Sequence, residues 1–536
     1  MTPALRRLHL RTWVVVLAAL LTAFTLVLRT ASPAQAAYAQ IEGSGSTWSE
    51  LIVRQWIADV DAMGMKVTYS SGGSSQGRKN FAQNVTDFGI SEIPYQGVDE
   101  YGAADTAGKR AFAYLPIVAG GTAFTYQVRV GGKLVKNLRL SGDTIAKIFT
   151  NKITDWSDAA ITKDNNGRKL PSLRIIPVVR SDGSGTTAQF TTWLDKEHPK
   201  VWRPFFGRSG LTSYFPRKGT AIAASGSDQV MNTISGDAGN GTIGYVEYSY
   251  PVSKKFPVVK VLNKAGYFVE PTEHNVAVAL TKARINENKS SPLYLTQILD
   301  GVYRATDKRA YPLSSYSYML LPTGAKDQRM TTAKRQTLVD FMFYSLCEGQ
   351  SKAGPYGYSP LPLNLVQAGF AQLAKLGTAD KGVNVKNRDA RRCNNPTFVK
   401  GDLSRNHLAE IAPQPAACDK VGAGPCGTAP AADTGATDKP KAGAQPTAAA
   451  APGAAAPSAG AAPQVAASTD PETGQPVAAA AVVDPESIAG VPTELTSSAL
   501  GDRKEWFGAI AMLELLLIVT VPGALALYFR RRGAAR

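Results

Sequence analysis

Residues 180–187 read Arg-Ser-Asp-Gly-Ser-Gly-Thr-Thr and follow a short apolar run that ends at Val179. Downstream, Phe190, Trp193 and Leu194 recur at the spacing of one helical face. The pattern predicts a strand, a glycine-rich loop and a helix in direct succession. Such a loop presents unpaired backbone N–H groups at the helix N-terminus, where the helix dipole also favours negative charge. The stretch therefore predicts an anion site on an α/β fold.

Two earlier loops have the same character. Residues 43–47 read Gly-Ser-Gly-Ser-Thr and lead into a helical pattern, and residues 70–75 read Ser-Ser-Gly-Gly-Ser-Ser after a β-rich run. Glycines let the backbone approach an anion closely, and the hydroxyls add short donors. Thr47 and Glu50 also fit a helix capping box, which gives Thr47 a purely structural alternative.

Arg180 and Asp182 complete the predicted site. Arg180 supplies a fixed cation with a forked set of donors, and Asp182 is placed to hold its guanidinium. Three loops that converge on this cation would surround a small tetrahedral oxyanion. The whole chain carries a formal net charge of +17, which raises the local concentration of anions but does not identify one.

Several functional classes are disfavoured by the sequence. It has no Lys/Arg-rich run with interleaved aromatic residues, so we expect no nucleic-acid partner. Its four histidines are scattered, and neither a G-x-S-x-G nor an H-E-x-x-H motif is present. We therefore expect a monomeric binding protein that is not an enzyme and uses no metal or cofactor.

Short β-rich runs alternate with amphipathic helical patterns from about residue 37 to about residue 415. The clearest β-rich runs are residues 65–69, 112–118, 175–179 and 242–247. This alternation predicts α/β layers with mainly parallel strands.

The two ends of the chain predict export and a membrane tether. Residues 1–36 combine a basic start, a short apolar run and an Ala-Gln-Ala end, which is the pattern of a signal peptide. Residues 501–536 contain an apolar run long enough to span a bilayer, followed by three arginines that favour the cytoplasmic side. Residues 416–500, rich in Ala and Pro, predict a disordered linker on the outer face of the cell membrane. The role of Glu514, inside the apolar run, stays open.

The chain has four cysteines, which in an exported protein suggest two disulfides. Four cysteines allow three pairings. We favour Cys347–Cys393 with Cys418–Cys426, because the second pair is so close in sequence.

Six motifs in order over residues 40 to about 360 carry a family resemblance. They are Gly43-Ser-Gly-Ser-Thr47, Gly73-Ser-Ser75, Asp87-Phe-Gly-Ile-Ser-Glu92, Ile148-Phe-Thr-Asn-Lys-Ile-Thr-Asp-Trp156, Arg180-Ser-Asp-Gly-Ser-Gly-Thr186 and Ile243-Gly-Tyr-Val-Glu-Tyr248. Together they resemble the PstS-type phosphate-binding proteins of ABC phosphate importers.

The resemblance implies a two-lobed α/β fold of the periplasmic-binding-protein type, a Venus flytrap whose lobes close over phosphate about two hinge crossovers. Lobe I would comprise residues 37–118 and 275–415, and lobe II residues 119–274, with crossovers near residues 116–125 and 271–279. It also implies capture of inorganic phosphate for an ABC permease. The implied ligands are Thr47, Trp48 through its backbone N–H, Ser74, Glu92, Arg180, Ser184, Gly185 and Thr186.

Two of these residues depart from the family pattern. Trp48 stands where the family usually has Phe, which we expect to change packing only. Glu92 stands where the family has Asp, the carboxylate that accepts the proton phosphate keeps at neutral pH and sulfate lacks. The extra methylene leaves the degree of selectivity open. A structural alternative for Glu92 is an ion pair with Arg78 or Lys79.

Two other functions stay open on the sequence alone. One is a surface-tethered phosphate sensor, scavenger or wall-associated binding protein that is not coupled to transport. The other is a receptor for a different oxyanion such as sulfate, against which Glu92 argues. Whether the protein is coupled to transport depends on its partners, and a fold does not identify them.

Overall fold

The computed structural model describes residues 38–427 except residues 292, 400 and 401. Its strands, β1 to β19 in chain order, are Ile41–Gly45, Val67–Ser70, Phe88–Ser91, Gly97–Val98, Ala104–Asp105, Phe112–Tyr126, Arg129–Val130, Lys133–Leu134, Arg139–Leu140, Ile176–Arg180, Ile222–Ala224, Thr242–Glu247, Lys260–Leu262, Phe268–Val269, Arg284–Ile285, Gln297–Ile298, Ser314–Pro322, Phe398–Val399 and Asp402–Asn406. Its helices, α1 to α14, are Glu50–Asp61, Ser74–Ala82, Gly142–Phe149, Ala159–Asp164, Gly185–Glu197, Pro199–Phe206, Gly226–Ser235, Ser249–Lys254, Glu273–Leu280, Asp300–Tyr303, Thr332–Leu346, Ala353–Tyr356, Leu363–Ala379 and His407–Glu410.

One eight-stranded sheet organises the described residues, in the order β11-β10-β12-β6-β17-β3-β1-β2. At one end β1 pairs in parallel with β2 and β3, and at the other β10 pairs in parallel with β11 and β12. The two central strands, β6 and β17, run antiparallel to each other. We call the part built around β1–β3 lobe I and the part built around β10–β12 lobe II.

Strand β6 belongs to both lobes. Its earlier residues pair with β17, whereas residues 122–126 pair with β12 of lobe II. The change falls at Gly121, where a Cβ atom would lie 2.5 Å from Cβ of Pro271. Glycine therefore lets the strand and the returning chain touch at the point where one lobe passes into the other. The two expected crossover segments, residues 116–125 and 271–279, therefore meet at Gly121 and Pro271. The lobe boundaries stay predictions.

Residues 416–427, expected to be the start of a disordered linker, are folded. The Cys418–Cys426 disulfide closes a short loop that packs on lobe II. Arg139 donates to two backbone carbonyls of this segment, and Lys260 lies 2.9 Å from the Asp419 carboxylate. The globular part therefore extends beyond the boundary expected at residue 415. The large apolar residue of the segment, Val421, is exposed. The disulfide and ionic contacts therefore supply order that composition does not reveal.

The other disulfide joins Cys347 to Cys393, so the structure contains the pairing favoured from the sequence. The expected signal peptide, the rest of the linker from residue 428 and the expected anchor at residues 501–536 lie outside the described residues. Among the residues that are described, no helix has the length and apolar character needed to cross a membrane.

Candidate anion-binding site

The first loop connects β1 to α1 and points its free groups at lobe II. The N-cap residue of helix α1 is Ser49, and its backbone N–H donates to Oγ of Ser46 at 3.2 Å. Thr47 does not cap this helix, because its Oγ1 lies 3.1 Å from Oγ of Ser227 at the start of α7. The backbone N–H of Trp48 finds no acceptor among the described residues. The capping-box alternative for Thr47 is therefore wrong, and the loop keeps donors for a ligand.

The second loop places a hydroxyl against a buried carboxyl. Ser74 opens α2, and its Oγ donates to Oε2 of Glu92 at 2.5 Å. Glu92 follows β3 and is only 1% exposed. Arg78 forms its ion pair with Asp105 instead, at 2.8 Å. Among the described residues, Glu92 forms an ion pair with neither Arg78 nor Lys79, so the structural alternative raised from the sequence is wrong.

Burial raises the pKa of the Glu92 carboxyl. Hydrogen bonds from the Ser46 and Ser74 hydroxyls and the charge of Arg180 oppose that rise without cancelling it. These groups therefore stabilise the ionised carboxylate incompletely, and any additional hydrogen-bond donor that enters the site would stabilise it further.

The third loop forms the N-terminus of α5 in lobe II. Ser184 is the N-cap residue, and its Oγ accepts from the backbone N–H of Thr187 at 3.1 Å. The N–H groups of Gly185 and Thr186 lie in the first turn, which leaves them without intrahelical partners. Both residues are buried. The helix therefore presents two free donors and its positive dipole end to the cleft.

Glycine at position 185 allows the two lobes to meet at this point. A Cβ atom on Gly185 would lie 2.0 Å from Oε2 of Glu92 and 2.4 Å from Oγ of Ser74. Any larger residue would displace these two side-chain atoms. The N-terminus of α5 therefore faces the carboxyl and the hydroxyl that lobe I contributes.

Arg180 ends β10 and is held by Asp182. Its Nε donates to Oδ1 of Asp182 at 2.7 Å, its Nη2 pairs with the other carboxylate oxygen, and its Nη1 lies 3.3 Å from Oγ of Ser227. Burial raises the pKa of Asp182, but the charge and hydrogen bonds of Arg180 and the N–H of Gly226 outweigh it, so the net shift is downward. Asp182 is therefore ionised and offsets the charge of Arg180.

The predicted ligand residues are brought together from both lobes. Those from lobe I are Thr47, Trp48, Ser74 and Glu92, and those from lobe II are Arg180, Ser184, Gly185 and Thr186, all of them buried. Contacts across the cleft close it, including a 2.5 Å hydrogen bond from the Tyr250 hydroxyl to the carbonyl of Thr47. Their role as ligands stays a prediction.

Sequence reasoning missed Ser227. This fully buried residue bonds to Thr47 and lies against Arg180, so it joins a residue of each lobe. The signal was present, because residues 225–227 read Ser-Gly-Ser immediately before a helix, as the other loops do. Within residues 38–427 as described, no cluster of His, Cys, Asp or Glu is placed to hold a metal ion.

The profile of the PBP superfamily domain matches residues 30–348. The chain belongs to the PBP superfamily. Its relatives include the phosphate-binding protein PstS of Xylella fastidiosa (strain Temecula1), 31% identical over 329 residues that cover 61% of this chain and 83% of that protein. The phosphate-binding protein PstS of Methanocaldococcus jannaschii is 32% identical over 341 residues, covering 62% of this chain and 84% of that protein.

The fold of this chain is similar to that of a solved structure. The high affinity periplasmic phosphate-binding protein PfluDING, bound with phosphate, superposes with a TM-score of 0.51 over 65% of this chain and 99% of that chain, at 18% identity. The two-lobed α/β architecture is thereby confirmed. The docked segment at residues 416–427 lies beyond the region that the superfamily profile matches.

Proposed function

We propose that this chain is an extracellular receptor that captures inorganic phosphate for an ABC importer and performs no catalysis. The observation that carries the proposal is the meeting of Glu92 and Ser74 with the free N-terminus of α5 at Gly185. Donors that face a single buried acceptor are the complement of an oxyanion that still carries one proton. The PstS relatives, which are named phosphate-binding proteins, support the same ligand.

Each group has a distinct role in this proposal. The N–H groups of Trp48, Gly185 and Thr186 and the neighbouring hydroxyls donate to phosphate oxygens, and Arg180 contributes a fixed, charged donor. Glu92 accepts the remaining phosphate proton, which also relieves its own poorly compensated charge. Sulfate offers no proton, so its oxygens would face the Glu92 lone pairs without a hydrogen between them.

Location is part of the proposal. The signal-peptide pattern of residues 1–36 places the receptor outside the cell, and the apolar run with its arginines in residues 501–536 would hold it at the membrane. The Ala/Pro-rich stretch from residue 428 would act as a tether between that anchor and the folded domain. The receptor would work as a monomer.

Calorimetry on the full-length protein tests the ligand. We expect phosphate at neutral pH to bind far more tightly than sulfate. Equal affinity for the two anions, or no binding of phosphate, would refute the proposal. Coupling to transport is tested by deleting the gene and measuring phosphate uptake by the cells. Unchanged uptake alongside intact binding would favour the surface-tethered sensor, scavenger or wall-associated protein.

A further inference from the structure

A small hairpin of lobe I reaches over the mouth of the cleft. It spans residues 97–105, in which β4 and β5 pair antiparallel. Asp99 shapes its turn, since one carboxylate oxygen accepts from the backbone N–H groups of Tyr101 and Ala103 at 3.0 and 2.8 Å. The base is fixed to lobe I by Asp105, which forms the buried ion pair with Arg78. The hairpin therefore moves with lobe I.

The tip of this hairpin contacts lobe II. Oε1 of Glu100 accepts from the hydroxyl of Thr212 at 3.0 Å and from the backbone N–H of Ser213. Beside it, the ring of Tyr101 meets the ring of Tyr214 edge to face, with centroids 5.1 Å apart. Tyr101 is 75% exposed, so it contributes little to any core. These contacts join two lobes rather than stabilise one.

The contacted segment of lobe II is tied to the binding loop. The carbonyl of Ser213 accepts from the backbone N–H of Ser184, the N-cap of α5, at 3.0 Å. Thr212 is also bonded through its backbone N–H to the hydroxyl of Thr191 within α5, at 3.0 Å. Glu100 is therefore linked through a single residue, Ser213, to the residue that positions the free N–H groups of the site.

We infer that residues 97–105 form a latch, in which Glu100 and Tyr101 hold the closed cleft and set how long bound phosphate stays. The inference rests on the proposed function and deepens it. A contact that exists only in the closed state favours that state over the open one by its own free energy. Phosphate held in the closed cleft leaves only after the cleft opens, so its dissociation rate changes by the same factor, and the dissociation constant changes with it. Association begins from the open state and is independent of the latch.

Stopped-flow kinetics on the full-length protein test the latch, with intrinsic tryptophan fluorescence as the signal and inorganic phosphate as the ligand. We expect Glu100→Gln to raise the dissociation rate and Kd about tenfold, because the amide oxygen can accept the same two hydrogen bonds but lacks the charge that strengthens them. Tyr101→Ala should raise both about threefold. The association rate and the melting temperature of the unliganded protein should stay unchanged. Glu287→Gln, which alters an exposed carboxylate of lobe I, is the matched control.

A double substitution separates the latch from local damage. Because Tyr101 and Tyr214 share one contact, Tyr101→Ala combined with Tyr214→Ala should release phosphate no faster than the more affected single variant. Additive effects, unchanged release in Glu100→Gln, or a loss of affinity that arises in the association rate would overturn the latch. If the wild-type protein itself fails to bind phosphate, the proposed function fails and the latch with it. A binding wild type with unaffected variants refutes the latch alone.

Discussion

Glu92→Gln is the perturbation that most directly tests how the site distinguishes phosphate from sulfate. The amide keeps the size of the side chain and can still accept from Ser74, whose hydroxyl lies 2.5 Å from Oε2 of Glu92. What it loses is the negative acceptor for the phosphate proton. What it gains is an N–H group that can donate to a fully ionised oxyanion.

The magnitude follows from the buried position of this one group. A hydrogen bond to a charged partner contributes about 1.5–3 kcal/mol, so phosphate affinity should fall roughly 10- to 150-fold. Sulfate no longer faces a buried carboxylate and should gain by a similar factor. The phosphate-to-sulfate ratio therefore falls by roughly 100-fold or more, the product of the two smaller changes.

Stability in the absence of ligand provides an independent readout of the same variant. Burial raises the pKa of Glu92, so the folded protein retains this proton at pH values where the unfolded chain has lost it. Stability therefore falls as pH rises from the unfolded value of 4.5 towards the folded value. Glu92→Gln removes that loss, and the unliganded melting temperature at pH 7 should hold or rise.

Calorimetric titration of both anions into wild type, Glu92→Gln and Glu92→Asp decides the matter. Glu92→Asp is the control, because it keeps the carboxylate and should keep the preference for phosphate. An unchanged ratio in Glu92→Gln, together with a lower melting temperature, would refute the reasoning and give Glu92 a structural role. A lost preference in Glu92→Asp would show that the position of the carboxylate, rather than its charge, sets selectivity.

Three further predictions concern groups around the cleft and the docked segment. Arg180→Ala should abolish phosphate binding and lower the free energy of unfolding by about 3 kcal/mol, because it removes the ionic partner of the Asp182 carboxylate. Adding Asp182→Asn should restore stability but not binding, and phosphate binding by either variant in calorimetry would contradict this prediction. Burial raises the pKa of Glu247 well above its ordinary value of 4.5, and its Oε1 has no hydrogen-bond partner among the described residues. Glu247→Gln should therefore raise the melting temperature at pH 7 and remove a decline in the free energy of unfolding of up to about 1.4 kcal/mol per pH unit above pH 4.5. Identical pH–stability curves for the variant and the wild type would refute this prediction. Arg139→Ala should expose residues 416–427 to protease, because its guanidinium binds two backbone carbonyls of that segment. Phosphate affinity should stay unchanged, since those carbonyls lie outside the binding loops. Undiminished resistance to cleavage would show that the disulfide alone holds the segment.

Much of the site could be predicted because its signals are local. Each binding loop combines a strand end, glycines and hydroxyls with the first turn of a helix, all within a few consecutive residues. The backbone geometry of such a segment is set largely within the segment itself, whereas its role as a ligand loop stays a prediction. The alternation of strands and helices indicated the α/β class for the same reason, since periodicity is a local property of the chain.

Contacts between distant segments could not be predicted in this way. The bond between Thr47 and Ser227 joins residues 180 positions apart and depends on how the two lobes close. The latch residue Glu100 carries no motif, and its partners are ordinary hydroxyl and backbone groups. The segment 416–427 has the composition of a linker, and its order comes from a disulfide and from side chains of lobe II. In each case the partner, rather than the residue itself, determines the role.

The charge of the site separates capture from selectivity. Arg180 is offset by Asp182, and Glu92 adds a second carboxyl, so these three groups bring no net positive charge to the cleft. The attraction for an anion inside must come from aligned N–H and O–H dipoles, which do not weaken appreciably with salt because they are buried. The net charge of +17 belongs to the chain as a whole and acts on an approaching anion through solvent, where salt screens it. Salt should therefore lower the association rate of phosphate. The dissociation rate and the preference over sulfate should stay unchanged, because they depend on the buried arrangement of one acceptor among many donors.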